Sequence, residues 1–468
     1  MNAAKSYFFC GIGGSGMLPL ALIVKGRGAE VAGSDRTLDQ GRLAPKFEYL
    51  ERHGIALFPQ DGSGVTRPDQ ILVASAAVEE SVPDVVKAKA IGAPRISRPE
   101  LLAELFNAAG TGIAVGGTSG KSTVTGMIGW ILHAVGRDPT VMNGAVMKNF
   151  AGPDSPFASA LVGGGGEFVS EVDESDGSIA FYRPAVALLN NISLDHKSLD
   201  ELRGLFADFA SKAEAIVLNL DDDETRLLAA ALPADRLVTY GFADREADLF
   251  GSGLVEAPFA VTFEANDRRT GATAPVALQV PGRHNAQNAL AALAAATEVG
   301  VPLAEAARVL GGFKGLRRRL ERVGTAGGVT VIDDFAHNPD KIAATLRTLH
   351  AFPGRLLIFF QPHGYGPLKT MKDALIAGLS GEMAADDVLI MPDPVYFGGT
   401  TSRDIGSGDI VEGVRGAGRN AEHVPDRTDC AERLAAIARP GDRIVVMGAR
   451  DDTLTTFAED LLTRLEAK

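Results

Sequence analysis

A chain of 468 residues, 46% apolar and 22% charged, is long enough for two to four domains. Its formal charge of −13 weighs against a general affinity for nucleic acid or anionic membrane, without excluding a local basic pocket for an anionic substrate. Cys10 and Cys430 are too far apart to make a disulfide framework, MNAAKSYFFCGIGG lacks a secretory pattern, and no run approaches the ~18 apolar residues of a membrane span. A soluble, cytoplasmic protein, monomer or homodimer, is expected.

The first hundred residues alternate between strand and helix. SYFFCGI is a short buried strand, and SGMLPLALIVKGR is apolar at helical spacing, with Pro19 tolerable only near its start. EVAGSD and QILVAS are further strands, and VPDVVKAKAIG is a helix. This grammar predicts a parallel sheet with crossover helices, ending near Ala108–Gly112. A second α/β unit opens with TGIAVGG. The strands EFVSEVD, AVALLNNI and AIVLNL follow. Short β-like runs between Ala243 and Val280 read as a small antiparallel insert, and HNAQNALAALAAATEVG is a helix stopped at Gly300. LRRRLERVG reads as a hinge into a third unit with four strands, VTVIDDF, RLLIFFQP, DVLIMPD and DRIVVMGA. Without repeats, each unit is expected to carry its own core.

GGTSGKSTVTG (Gly116–Gly126) lies between a strand and a helix, the context of a phosphate cradle. Its glycines expose backbone N–H groups, the helix start adds partial positive charge, and Lys121 adds a full one. Ser122 offers a hydroxyl for Mg²⁺. The loop is one residue shorter than the usual Walker form, because Val115 stands where that form has glycine. The bland alternative is a glycine turn with a solvated lysine. SEVDESDGS then packs Glu171, Asp173, Glu174 and Asp176 after a strand, a cluster suited to Mg²⁺ or simply a solvated acidic loop. His196, in NNISLDHKS, ends the next strand and is a candidate for a second metal site.

GIGGSGM places Gly11, Gly13 and Gly16 in G-x-G-x-x-G spacing, and Asp35 follows at a strand end, as in a dinucleotide fold. That motif alone allows an NAD-dependent oxidoreductase. Its physics says only that a diphosphate can sit on a helix N-terminus, and a nucleotide sugar carries one too. Arg283, His284, Asn285 and Asn288, the run Arg317–Arg318–Arg319, and Asp333, Asp334, His337 and Asn338 offer further purine, ribose and phosphate contacts.

Taken in order, G-T-x-G-K-[ST], E-x-D-E-S-D, D-H, G-R-H-N-x-x-N and D-D-[FY]-x-H-x-P resemble the Mur ligase family over essentially the whole chain. The family uses this shortened loop. The implied fold is α/β in three domains: a Rossmann-like UDP-sugar domain (1–108), a central P-loop ATPase-like domain (109–318) and a C-terminal Rossmann-like domain (319–468). GIGGSGM, VAGSD, VASAAV and ISRPELLAEL are most similar to members that act on UDP-N-acetylmuramate, adding L-alanine or a recycled tripeptide. The implied reaction turns a carboxylate into an acyl phosphate with ATP, and an amine then displaces phosphate. A non-catalytic sensor of the same ligands is the remaining alternative.

By the same resemblance, Gly117, Thr118, Ser119, Gly120 and Thr123 line the ATP loop and Lys121 meets the β- and γ-phosphates. Ser122 and Glu171 bind Mg²⁺, and His196 holds a second ion near the acyl carboxylate. Asn288, Arg319, Asp334 and His337 contact ATP, with Arg319 counted among the catalytic residues. Gly11, Ile12, Gly13, Gly14, Ser15, Gly16, Met17, Asp35 and Ser75 meet the UDP moiety. The chain departs from the alanine-adding pattern at Ser119, where histidine is usual, and at Gly364 and Pro367, where arginines are usual. Lys369 is the nearest cation there, so the acceptor is an amino acid, L-alanine favoured, or a short peptide.

Overall fold

Apolar runs broken by glycine turns build three sheets in the computed structural model, which describes residues 5–75, 78–193, 197–395, 403–449, 451 and 453–467. The chain forms two compact units. One comprises Met1–Val255, Val261–Gln279 and Arg283–Gly315; the other comprises Glu256–Ala260, Val280–Gly282 and Leu316–Lys468.

The first unit holds two sheets. Strands β1 (Ser6–Cys10), β2 (Glu30–Ser34), β3 (Ala56–Phe58), β4 (Ile71–Ala74) and β5 (Arg95–Ser97) pair in parallel in the order β3-β2-β1-β4-β5. Every residue of β1 is buried, as expected where helices cover both faces. Its register sets Cys10 beside Ser34 and Ala74, and Ala74 beside Ser97. The loops after β1, β2, β4 and β5 therefore share one edge. Pro19 sits in the first turn of the helix Met17–Gly26, where its missing N–H costs nothing.

The second sheet contains β6 (Thr111–Gly116), β7 (Thr140–Met142), β8 (Ala160–Leu161), β9 (Glu167–Glu171), β10 (Val186–Leu189), β11 (Ala215–Asn219), β12 (Leu237–Gly241), β13 (Leu249–Ala257), β14 (Ala260–Asp267) and β15 (Thr273–Leu278). They run in the order β15-β14-β13-β12-β11-β10-β6-β9-β7-β8. The expected antiparallel insert is not a separate body: β13 pairs in parallel with β12 and continues the central sheet. The alternating burial of β15 is that of a strand with one face in water. One hydrophobic cluster runs from Phe9 through Phe106 and Phe168 to Leu218, so the first two sheets share a core rather than each building its own. At its centre the Phe106 ring lies 5.6 Å from Phe168 and 5.1 Å from Tyr182.

The second unit is a sheet of β16 (Glu321–Ala326), β17 (Val329–Asp334), β18 (Leu356–Gln361), β19 (Val388–Met391), β20 (Asn420–His423) and β21 (Arg443–Gly448), in the order β16-β17-β21-β18-β19-β20. Two of these strands were not expected. The supposed hinge ends in β16, which pairs antiparallel to β17 with an irregular step between Arg322 and Gly324. At the other edge, the polar NAEH of β20 is short and half exposed.

Candidate active site

In the central sheet β6 lies between β9 and β10, with Val115 beside Glu171 and Gly116 beside Leu189. Parallel register thus brings three strand ends together: the phosphate loop, the acidic segment and Asn190–Asn191. The loop is braced by the two asparagines. Thr118 N donates to the Asn191 carbonyl at 3.0 Å and Ser119 N to Asn191 Oδ1 at 2.8 Å. Asn190 Nδ2 donates to Asn288 Oδ1 at 2.8 Å, and its Oδ1 accepts from the buried Tyr240 hydroxyl at 2.7 Å. Gly120, at φ +85°, lies so close that a side chain there would run into Asn190 and Asn288. Asn288, an expected ATP contact, has its carboxamide oxygen on Asn190 and its nitrogen on Asn285.

From this loop the helix Lys121–Ala134 departs, and its first-turn N–H groups have no intrahelical partner. Lys121 Nζ lies 2.8 Å from Glu174 Oε2, with only 8% of the glutamate side chain exposed. Ser122 Oγ donates to Glu171 Oε2 at 2.8 Å. Beside them, desolvation opposes ionisation of Asp173, but hydrogen bonds from Ser175 and the charges of Lys121 and Arg98 hold it below the usual carboxylate range. Among the described residues no group of three or more His, Cys, Asp or Glu converges on a metal position. The Ser122–Glu171 pair nevertheless suits Mg²⁺, which takes few protein oxygens and completes its shell with phosphates and water. His196, with Leu194 and Asp195, lies outside the described residues.

The N-terminal glycine loop turns most of its amides inward. Gly11 N and Ile12 N donate to the Ser34 carbonyl at 2.8 and 2.9 Å, Gly13 N to Asp35 Oδ2 at 2.8 Å, and Gly14 N to the Gly11 carbonyl at 3.1 Å. Asp35, expected at the nucleotide, also caps the helix Arg36–Asp39 through Thr37 N and is nearly buried. Ser75 follows β4 on the same edge, and its carbonyl accepts from Val78 N. The amides of Ser15 and Gly16, which precede the helix starting at Met17, donate to no other described residue.

In the second unit the two neighbouring aspartates differ. Asp334 accepts from Leu320 N and Thr345 Oγ1, so both oxygens are engaged. Fully buried Asp333 faces Arg318, which also donates to the Gly448 and Asp451 carbonyls. Arg319 instead lies over the Phe335 ring at 5.0 Å. His337 Nδ1 is 2.9 Å from the Phe335 carbonyl, and its ring is 5.3 Å from that of His363. Gly364, at φ +127°, opens the helix Tyr365–Glu382.

Three family models cover the chain: "Mur ligase family, catalytic domain" over residues 6–109, "Mur ligase middle domain" over 115–296 and "Mur ligase, glutamate ligase domain" over 318–450. A UDP-N-acetylmuramate–L-alanine ligase of Jannaschia sp. is 34% identical, with 99% of this chain and 98% of that protein covered. The chain belongs to the Mur ligase family. Solved Mur ligases share the fold. The UDP-N-acetylmuramate–alanine ligase of Thermotoga maritima has a TM-score of 0.78 at 24% identity, and a murein peptide ligase of Psychrobacter arcticus has 0.70 at 24%, each with 99% of both chains covered.

As a Mur ligase the protein is an ATP-dependent ligase, which sets aside the oxidoreductase reading of the first glycine loop and the non-catalytic sensor. Sequence reasoning missed the structural parts of the site, namely Asn190, Asn191 and Tyr240 under the phosphate loop. The only signal was the Asn-Asn pair directly after an apolar strand. No helix among the described residues is long and apolar enough to cross a membrane.

Proposed function

We propose that this Mur ligase joins the carboxylate of UDP-N-acetylmuramate to the amine of L-alanine, releasing ADP and phosphate, in cytoplasmic synthesis of a peptidoglycan precursor. Relatives at 34–36% identity bear the name of that reaction. The observation that carries the reading is the pairing of Lys121 with Glu174 and Ser122 with Glu171 at the mouth of the phosphate loop. A carboxylate is a poor acylating agent, so one of its oxygens attacks the γ-phosphorus and ADP leaves. The amine nitrogen then attacks the acyl carbon, and the C–O bond to phosphate breaks as the amide forms.

Both partners of the first step are anions, so their approach needs positive charge at the loop. Lys121 supplies it by exchanging Glu174 for phosphate oxygens. Mg²⁺, held by Ser122 and Glu171, would neutralise phosphate charge when bound. The helix N-terminus adds unpaired N–H groups. The roles that the family resemblance gives to His196, Asn288, Arg319, Asp334 and His337 at ATP, and the domain limits near residues 108 and 318, stay part of the proposal.

A second reading, addition of a short peptide, is favoured by Gly364. Gly364 and Pro367 stand where the alanine-adding pattern has arginines, so the acceptor is not held as in that pattern. Phosphate release measured with UDP-N-acetylmuramate, Mg-ATP and a panel of amino acids and peptides separates the two. L-Alanine is expected to give the highest kcat/KM. A preferred tripeptide would select the second reading, and no acceptor-dependent release would contradict both.

A further inference from the structure

We propose that a cleft at the amino end of the first sheet is a separate ligand site, built for a small apolar zwitterion of the dipeptide class. The cleft has a volume of about 710 Å³, within the ~300–1,000 Å³ of small-molecule sites. It opens where β1, β4 and β5 begin, beside Lys5, Ile71 and Pro94. Both glycine loops instead follow strand ends, so the cleft is distinct from the sites described above.

Register builds its floor. Tyr7 pairs with Ile71, and Val73 with Ile96, so Tyr7, Ile71 and Ile96 share one face of the sheet. One wall is the helix Arg98–Asn107, which turns Glu100, Ala103, Glu104 and Asn107 to the cleft at helical spacing. The other wall is the turn Ser178–Phe181 with Arg183 beyond it. Asn107 ties the walls together: its Nδ2 donates to the Phe181 carbonyl and its Oδ1 accepts from Arg183 N, each at 2.9 Å.

Four polar groups of the lining are left unused. Tyr7 is only 6% exposed, yet its hydroxyl makes no hydrogen bond among the described residues and is not sealed in the core, so it is open to the cleft that the ring lines. Buried tyrosines ordinarily find a partner for that group. The side chains of Lys5, Arg183 and Glu104 likewise have no hydrogen bond or ion pair among the described residues. Their neighbours are engaged: Arg95 pairs with Glu80, and Glu100 accepts from Ser97 N.

The signs of these groups select the ligand. A simple anion would meet Glu104, and a simple cation would meet Lys5 and Arg183. A zwitterion satisfies both, its carboxylate going to Arg183, Lys5 and the Tyr7 hydroxyl and its ammonium to Glu104. Apolar side chains would cover Ile71, Ile96 and the Phe181 ring, which is 46% exposed. The volume exceeds that of a single amino acid and suits two.

Isothermal titration of the full chain with L-leucyl-L-phenylalanine, and with its N-acetylated and C-amidated forms, tests this in wild type, Y7F, R183Q and E104Q. The free dipeptide should bind saturably, and capping either end should weaken it about 10-fold, the loss of a charge-assisted hydrogen bond. R183Q should cost about 10-fold and Y7F about five-fold. E104Q should weaken the free dipeptide as acetylation does and leave the acetylated form within about two-fold. Because Y7F alters a buried position, the exposed Arg183 and Glu104 decide if its folding is impaired. Absence of saturable binding, or affinity indifferent to R183Q and E104Q, would overturn the site. Displacement of the dipeptide by excess L-alanine would place it at the acceptor position and overturn it equally.

Discussion

The two glycine loops of the first unit look alike in sequence and work differently. The loop Gly117–Gly120 is braced from below by Asn190, Asn191, Asn288 and Tyr240, and its own next residues, Lys121 and Ser122, pair with Glu174 and Glu171. The loop Gly11–Gly16 turns the amides of Gly11, Ile12 and Gly13 onto Ser34 and Asp35 and has no lysine or arginine of its own. A glycine motif therefore marks where the backbone must come close, while the side chains that surround it decide what it holds.

If the loops serve separate ligands, damage to one should spare the other. Lys121→Ala should lower phosphate release at least ~1000-fold while UDP affinity stays within about two-fold, since the side chain faces Glu174 and not the first loop. Equal loss of both would merge the sites and break the comparison. Glu171→Gln should lower kcat about 100-fold and raise the Mg²⁺ concentration needed for half-maximal rate, with Ser122→Ala following at about 10-fold, as read in a Mg²⁺ titration of activity. An unchanged Mg²⁺ requirement would remove both residues from the metal.

Tyr240→Phe deletes one buried hydroxyl and leaves Asn190 Oδ1 short of a donor, so it should raise the KM for ATP several-fold and cost about 1 kcal/mol of stability. A drop in melting temperature with no change in that KM would make Tyr240 structural only. The smallest effect belongs to the first loop's foundation. Burial pushes Asp84 above the usual carboxylate range, opposed by hydrogen bonds from Ser34 and Gly62. The folded state therefore holds that proton more tightly than the unfolded chain. The resulting stability is complete below the ordinary carboxylate pKa and is lost as pH rises through the raised value. Melting curves across that window should be flatter for Asp84→Asn than for wild type, and parallel curves would refute the assignment.

Much of this was legible from sequence, because glycine, lysine and carboxylate runs sit at strand ends and their order is that of one family. What stayed hidden depended on register. Arg98 reads as an ordinary helix start, and only the pairing of Ala74 with Ser97 brings it onto the edge shared with Gly16. The hydrogen bonds by which the Asn288 carboxamide joins Asn190 and Asn285 likewise depend on how strand and helix are brought together. β16 hid in a charged segment that resembled a hinge, and β20 in four polar residues at an edge. The β-like runs between Ala243 and Val280 did not show that β13 joins β14 and β15 to the central sheet.

The central claim is that the phosphate loop serves to activate the carboxylate of UDP-N-acetylmuramate. Substrate labelled with ¹⁸O in that carboxylate should be turned over with Mg-ATP and L-alanine, and the released phosphate examined by mass spectrometry. Transfer of one ¹⁸O into each phosphate is predicted, because the attacking carboxylate oxygen leaves with phosphorus. Release of unlabelled phosphate would contradict it.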